Sequence, residues 1–151
     1  MIYRKSSPVA CERGVIIAEF ALMLPLLALM FLTIVDLSLV IHEHQVLKNA
    51  AREGARFSAL PRNQIGPQNP MATQNTIRQR VIDYCQGENI TVLGGNITVS
   101  QQRPITVAGG LTVMASEVRV SYTRNFLVGG VPFLPVGQIT LFGNSVFRNF
   151  Y

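Results

Sequence analysis

The stretch Gly14-Val15-Ile16-Ile17-Ala18-Glu19-Phe20 decides the fold of this chain, because it opens a long apolar run. The run extends from Val15 to Ile41, and no residue between Phe20 and Val35 is charged. A helix of about 20 mostly apolar residues is long enough to cross a bilayer. The sequence therefore predicts a membrane-spanning helix close to the N-terminus.

Glu19 is the exception inside this run. A carboxylate within a bilayer is costly, so it needs a partner or a function. If the chain were cut after Gly14, Val15 would carry a new α-amino group one helical turn before Glu19. We expect such an amine, on the same chain or on a neighbour, to neutralise the glutamate. Asp36, near the far end of the run, is expected to reach the lipid headgroups or to pair within a helix bundle.

Basic residues predict the orientation of the helix. Arg4, Lys5 and Arg13 precede the apolar run, and clusters of Lys and Arg beside a span favour the cytoplasmic side. The N-terminus is therefore expected in the cytoplasm. Three basic residues also follow the span, so the asymmetry is incomplete.

The helix is predicted to continue beyond the membrane from Ser38 to Ala59, with Pro61 ending it. Small residues recur along this part at a spacing of four: Ala50 with Gly54, and Ala51 with Ala55. Small side chains on one face let another element approach closely. The partner could be the chain's own sheet or a neighbouring subunit, and the sequence favours neither.

Pro25 lies within the apolar run. Proline removes one backbone hydrogen bond and clashes with the preceding turn, so a bend is expected there. It is either a tolerated kink or a soft point at which the helix remodels on leaving the lipid.

The remainder of the chain predicts a second helix and a sheet. After a loop over 60–69, Asn69 and Pro70 are typical of a helix start, and Gly87 is typical of its end. Beyond it, Gly94-Gly95 and Gly109-Gly110 each separate two runs rich in Val, Ile and Thr, which predicts two hairpins.

Further strands are expected over Glu117–Tyr122 and Gln138–Phe147, and a long apolar loop over Leu127–Gly137. Aromatic residues close the chain, so a docked C-terminus is expected. The expected fold class is α+β: a long N-terminal helix continuing into a small domain with a second helix and an antiparallel sheet.

No pattern indicates catalysis, a cofactor or a metal site. The two histidines, His42 and His44, are spaced so that they point to different helix faces, which is poor metal-ligand geometry. The acidic residues of the soluble part are isolated in sequence, and no phosphate-binding loop is present. A net charge of +5 without a basic block, and without Trp, argues against a nucleic-acid groove. Cys85 is expected to be a buried small hydrophobe.

Three motifs together resemble the TadE family, the minor pilin-like proteins of bacterial tight adherence (Tad/Flp) pilus systems. They are Arg13-Gly14, Glu19-Phe20-Ala21-Leu22-Met23-Leu24-Pro25 and Leu47-Lys48-Asn49-Ala50-Ala51-Arg52-Glu53-Gly54-Ala55-Arg56-Phe57. The resemblance covers residues 13 to about 59. The order of leader, glycine, apolar residue and glutamate is also similar to the processing site of type IV prepilins.

The resemblance implies a leader of residues 1–14, a transmembrane and extended helix over 15–59, and a periplasmic α+β domain over 60–151. It implies that a prepilin peptidase cuts between Gly14 and Val15.

The same resemblance implies that Glu19 aids subunit registration by pairing with a mature N-terminus. The protein would be a single-pass protein of the bacterial inner membrane that acts in pilus assembly or priming. Its expected partners are TadF-like and TadG-like pilins, the major Flp-type pilin and the inner-membrane assembly platform.

Two other functions stay open. The chain could keep its leader and serve as an uncleaved bitopic scaffold of an envelope secretion machine, with Glu19 at the interface and no amine to meet. It could also be a membrane-anchored adhesin or ligand-binding module, for which Glu19→Ala would be harmless.

Overall fold

A computed structural model describes residues 9–60, 70–127 and 137–149. Its elements are the helices α1 (Val9–Ser58) and α2 (Pro70–Gly87), a short 3-10 turn (Gly94–Asn96), and the strands β1 (Ile97–Thr106), β2 (Thr112–Asn125) and β3 (Gln138–Arg148). The strands form one antiparallel sheet in the order β1-β2-β3. The predicted α+β arrangement is confirmed.

α1 is a single helix of 50 residues, about 75 Å long at 1.5 Å per residue. From Gly14 to Ile34 every side chain except that of Leu29 is exposed. Within the described residues α1 is the one helix long and apolar enough to cross a membrane. Its apolar stretch of 18 residues has a mean hydropathy of 2.5 and contains no buried residue. Pro25 lies inside it, and the helix continues on both sides.

The second half of α1 forms the centre of the core. It packs across the sheet and beside α2, which contributes one apolar face. The fully buried large side chains of this core come from α1, α2 and the sheet. They are Leu47, Ile77, Val81, Cys85, Ile97, Val118 and Val120. One helix therefore serves both as the apolar segment and as the main support of the domain.

The small residues of α1 lie in this core. Ala50, Ala51 and Ala55 are fully buried. A Cβ at Gly54 would lie 2.5 Å from Val81 Cγ2 on α2, so only glycine fits without a shift. This face packs against the chain's own domain and is not open to a neighbouring subunit.

Gly143 gives β3 its close approach to α1. A Cβ at this position would overlap the Leu47 carbonyl oxygen and would lie 2.9 Å from the Lys48 nitrogen. Both of these are helix backbone atoms, which cannot move aside as a side chain can.

Of the two predicted hairpins, the second is confirmed. β1 and β2 are joined by a turn in which Gly109 and Gly110 adopt φ values of 97° and 77°. The Val107 N–H donates to the Leu111 carbonyl at 2.9 Å. Left-handed backbone of this kind is the conformation that glycine adopts without steric cost.

The first predicted hairpin is wrong. Residues 90–93 are not a strand, and Gly94-Gly95 belong to the 3-10 turn that leads into β1. The reason is the end of α2: Asn89 has a φ of 60° and turns the chain back, and the Ile90 N–H donates to the Cys85 carbonyl at 2.9 Å. Ile90 is buried there, so its backbone closes the helix and does not pair with a strand.

The predicted strands over 117–122 and 138–147 fall within β2 and β3, and the second helix has the predicted extent. Phe147 packs against the core. The cap Asn69, the segment 128–136 and the last two residues lie outside the described residues.

Asn149 and Glu117 fix the irregular part of the sheet, where the β1–β2 register shifts between Ser100 and Arg103. The Asn149 side chain donates to the Gln101 carbonyl at 2.8 Å and accepts from the Ser116 hydroxyl at 2.7 Å. Arg103 is bonded to Glu117 across the two strands. This hydrogen bond, with the positive charge of Arg103 beside it, lowers the pKa of Glu117.

Gly143→Ala tests the close approach of β3 to α1. Forcing extra volume into a packed core costs about 1–3 kcal/mol, and here the obstacle is backbone. We expect a loss of stability of at least that size in thermal or denaturant unfolding of the detergent-solubilised protein. Gly95→Ala is the control, because nothing lies within 4 Å of a Cβ there. Equal stability of the two variants would contradict the packing described.

Glu117→Gln tests the ion pair across the register shift. Because the folded-state pKa of Glu117 is lowered, its contribution is present above the ordinary pKa of 4.5 and is lost as pH falls through the folded-state value. We expect the variant to be less stable than the parent by about 1 kcal/mol at pH 7, with a smaller difference at pH 3. Unfolding midpoints at the two pH values measure this. Glu88→Gln, at an exposed position, is the control. The difference in stability between this variant and the parent is not expected to become smaller from pH 7 to pH 3.

Candidate functional site: the N-terminal half of the long helix and its junction with the domain

The residues predicted for processing lie on the exposed half of α1. Gly14, Val15 and Glu19 are all exposed, and nothing lies within 4 Å of a Cβ at Gly14. The helix runs through the Gly14–Val15 bond without a break. A peptidase would have to unwind it locally, and glycine lowers that cost because it is about 1 kcal/mol poorer than alanine in a helix.

Glu19 lies one turn after Val15 on this surface. Within the described part of the chain it makes no ion pair or hydrogen bond that could neutralise it. The surrounding side chains are apolar and equally exposed. The geometry thus leaves room beside Glu19 for a cation from outside the folded domain.

A second group of charges lies where α1 enters the domain, and we call Asp36, Glu43 and Arg124 the junction cluster. Asp36 and Glu43 are seven residues apart, so they face the same side of the helix. Arg124, near the end of β2, is bonded to Glu43 Oε1 through Nη1, and its Nη2 lies 3.7 Å from Asp36 Oδ1. The Leu127 N–H also donates to Asp36 Oδ1, at 3.1 Å.

The junction cluster is buried. The side chains of Arg124, Asp36 and Glu43 are 12%, 5% and 11% exposed. One guanidinium serves two carboxylates, and Glu43 Oε2 and Arg124 Nε have no hydrogen-bond partner among the described residues. Removing one member of a buried ion pair typically costs about 3–5 kcal/mol, because a charge is left without compensation. The junction cluster therefore fastens the sheet to the helix at the end of its apolar run.

The sequence placed the partner of Asp36 in the wrong location. It suggested headgroups or a helix bundle, whereas the structure supplies an arginine of the same chain. The available signal was only that a carboxylate at the end of a span needs a counter-charge. Which of the arginines would supply it depends on the pairing of β2 with β3, which the local sequence does not show.

The described residues of the domain include other polar features. An open cleft of about 530 Å³ lies between α2 and the start of β1, and Arg78 at its wall donates to the Ile97 carbonyl at 3.3 Å. Cys85 is buried, and burial raises its pKa to about 11. His42 is exposed and His44 is half-buried. The described residues contain no group of three or more His, Cys, Asp or Glu side chains that could hold a metal ion.

Residues 14–56 match the family model described as TadE-like protein. These residues are similar to the TadE-like family, and we call residues 14–56 the TadE-like segment. No curated protein and no solved structure matches the chain significantly. The TadE-like segment extends along α1 from Gly14, just before the apolar run, to Arg56 in the last turn of the helix.

The match covers less than a third of the chain. The TadE-like segment carries Gly14, Val15, Glu19 and both carboxylates of the junction cluster. Arg124 lies outside it. The segment is therefore held in place by a residue from the part of the chain that the family model does not cover.

Arg124→Met tests the junction cluster. It leaves two buried carboxylates without a cation, and we expect a loss of about 3–5 kcal/mol in unfolding free energy. Adding Asp36→Asn and Glu43→Gln should recover a large part of that loss, because neutral amides need no counter-charge.

The matched control is Arg119→Met on the same strand. Arg119 is 58% exposed and its Nη2 lies 3.5 Å from Glu117 Oε1, and exposed pairs contribute about 0–1 kcal/mol. If Arg124→Met were no more destabilising than Arg119→Met, the junction cluster would not fasten the domain.

Proposed function

We propose that this chain is a TadE-like minor pilin, or pseudopilin, that a prepilin peptidase cuts between Gly14 and Val15. It then takes part in the assembly or priming of a Tad/Flp pilus. The observation that carries the proposal is Glu19, a lone carboxylate on an exposed apolar helix, one turn beyond the residue that would become the N-terminus. This arrangement lies within the TadE-like segment.

Cleavage would supply the missing cation. The new α-amino group of Val15 would be positive at neutral pH. In a surrounding of low dielectric constant, its attraction to a carboxylate is several times stronger than in water. A Glu19 that pairs with the Val15 amine of a neighbouring subunit would favour one axial position over others, because every other register leaves both charges in lipid.

The rest of the chain fits a role in assembly. We place the N-terminus in the cytoplasm and the α+β domain in the periplasm, on the evidence of the basic residues before the span. The described residues of the soluble part show packing surfaces and no group that could hold a metal ion, and our proposal includes no enzymatic activity. Pro25 lies within the exposed apolar part of α1, and the backbone hydrogen bond that a proline removes would make it easier for the helix to adapt on leaving lipid for a packed fibre.

The first test is the N-terminal residue and intact mass of the protein purified from its own membranes. We expect a chain that begins at Val15. An intact leader in cells that make pili would overturn the processing mechanism and favour an uncleaved membrane scaffold.

Two variants separate processing from registration. Gly14→Val should keep its leader, because the peptidase must accept a residue without a side chain at the cut. Glu19→Gln should be cut normally, yet lower the number of pili by at least tenfold, because the amide cannot neutralise an ammonium group.

Mass spectrometry and pilus counts by electron microscopy measure both effects, and Gly95→Ala is the control for expression. Normal piliation in Glu19→Gln and Glu19→Ala would contradict the registration role and favour the anchored adhesin.

A further inference from the structure

The outward side of α1 beyond its apolar run carries only positive charge. Lys48, Arg52 and Arg56 are exposed and follow each other at a spacing of four, which keeps them on one side of the helix. We call these three residues the basic ridge. From the first to the last, the basic ridge extends about 12 Å along the helix axis.

The basic ridge has no counter-ion among the described residues. Glu53, on the same helix, pairs instead with Arg80 of α2 at 2.9 Å. The carboxylates of the junction cluster form ion pairs with Arg124, and Glu117 forms ion pairs with Arg103 and Arg119. Asp83 accepts a hydrogen bond from Gln79 at 2.8 Å.

Glu88, which follows the end of α2, is exposed and makes no ion pair with the basic ridge among the described residues. Segments 61–69 and 128–136 and the last two residues contain neither Asp nor Glu. Glu12 and Glu19 precede or lie within the apolar run, on the far side of it from the basic ridge. Like charges at a spacing of four repel each other and destabilise a helix. Among the described residues, the three neighbouring cations of the basic ridge therefore have no compensating carboxylate from the same chain.

The position of the basic ridge argues against lipid headgroups as its partner. At 1.5 Å per residue, Lys48 lies about 10 Å and Arg56 about 22 Å beyond Ile41 along the helix axis. The headgroup region adds only about 5–8 Å on each side of the hydrocarbon core. A helix that crosses the bilayer would carry the outer part of the basic ridge beyond the lipid.

We propose that the basic ridge is the docking face for an acidic helix of a neighbouring subunit that runs alongside α1. Carboxylates three or four residues apart on such a helix would meet all three cations. The small-residue face of α1 is taken by the chain's own core, so the basic ridge is the side of this segment left for a partner. The proposal rests on the proposed function, since it names the chemistry of a pilus partner.

The experiment places a photo-cross-linking amino acid, p-benzoylphenylalanine, at the exposed residue Asn49 in the full chain, in its own piliated cells. We expect an adduct to a peptide with at least two acidic residues three or four positions apart. Arg52→Glu should lower the adduct yield at least tenfold, whereas Arg52→Lys should keep it within about twofold, because the charge is retained. Arg148→Glu, a reversal at an exposed site on β3, is the matched control and should leave the yield unchanged.

Replacing the facing acid of the partner by lysine should restore the adduct in the Arg52→Glu chain. Adducts to phospholipid, an adduct to a peptide without acidic residues, equal yields in Arg52→Glu and Arg148→Glu, or no adduct at all would each overturn the docking face.

The N-terminal mass and pilus counts keep the two proposals apart. If the chain is cut and is needed for pili but gives no adduct to an acidic peptide, the docking face is overturned and the proposed function stands. If the chain is not cut and its deletion leaves the number of pili unchanged, the proposed function is overturned, whatever the cross-linking experiment gives.

Discussion

The contact of Arg124 with Asp36 and Glu43 is the interaction on which the arrangement of this protein depends. It joins the end of β2 to two carboxylates on α1, at the point where the helix changes from exposed apolar side chains to a buried core. Burying three charges is expensive, and the attraction between them repays that cost only in a well-formed geometry. The contact therefore contributes less to total stability than to fixing one position of the sheet on the helix. Gly143 and Gly54 support the same position by allowing backbone and side chains to approach closely.

α1 has to satisfy three environments along one helix. From Val15 to Ile34 it presents mostly apolar, exposed side chains, its second half buries a face of small residues, and its outward side beyond the apolar run carries cations. The small residues bring α2 and the sheet close enough to bury Leu47 and Val81. Charged, small and apolar side chains thus occupy different sides and different parts of α1. The family match covers almost all of this helix.

The sequence predicted the features that depend on local pattern. The apolar run, the second helix between Pro70 and Gly87, and the turn at Gly109-Gly110 follow from hydropathy, proline and glycine placement, and all three are in the structure. The pattern at Gly94-Gly95 was similar, yet it led to a wrong hairpin, because the turn at Asn89 tied Ile90 to the end of α2.

The residues that sequence reasoning missed make long-range contacts. Arg124 lies 81 residues from Glu43 in the chain, and Asn149 lies 48 residues from Gln101. Nothing in the neighbourhood of these residues indicates their partners, which are set by strand register. The residues predicted for processing and registration, Gly14, Val15 and Glu19, lie together on one exposed surface, and their roles stay predictions.

The absence of a break between the two halves of α1 has a consequence for how the domain searches for a neighbour. A domain on a flexible linker explores many orientations and loses that freedom when it binds. Here the first buried apolar side chain of the core, Val46, comes five residues after Ile41, within the same helix. If the apolar half spans a bilayer as proposed, the domain is held at one height and follows only the tilt and spin of its helix. The protein then meets another subunit only by lateral diffusion in the membrane and by rotation about the membrane normal.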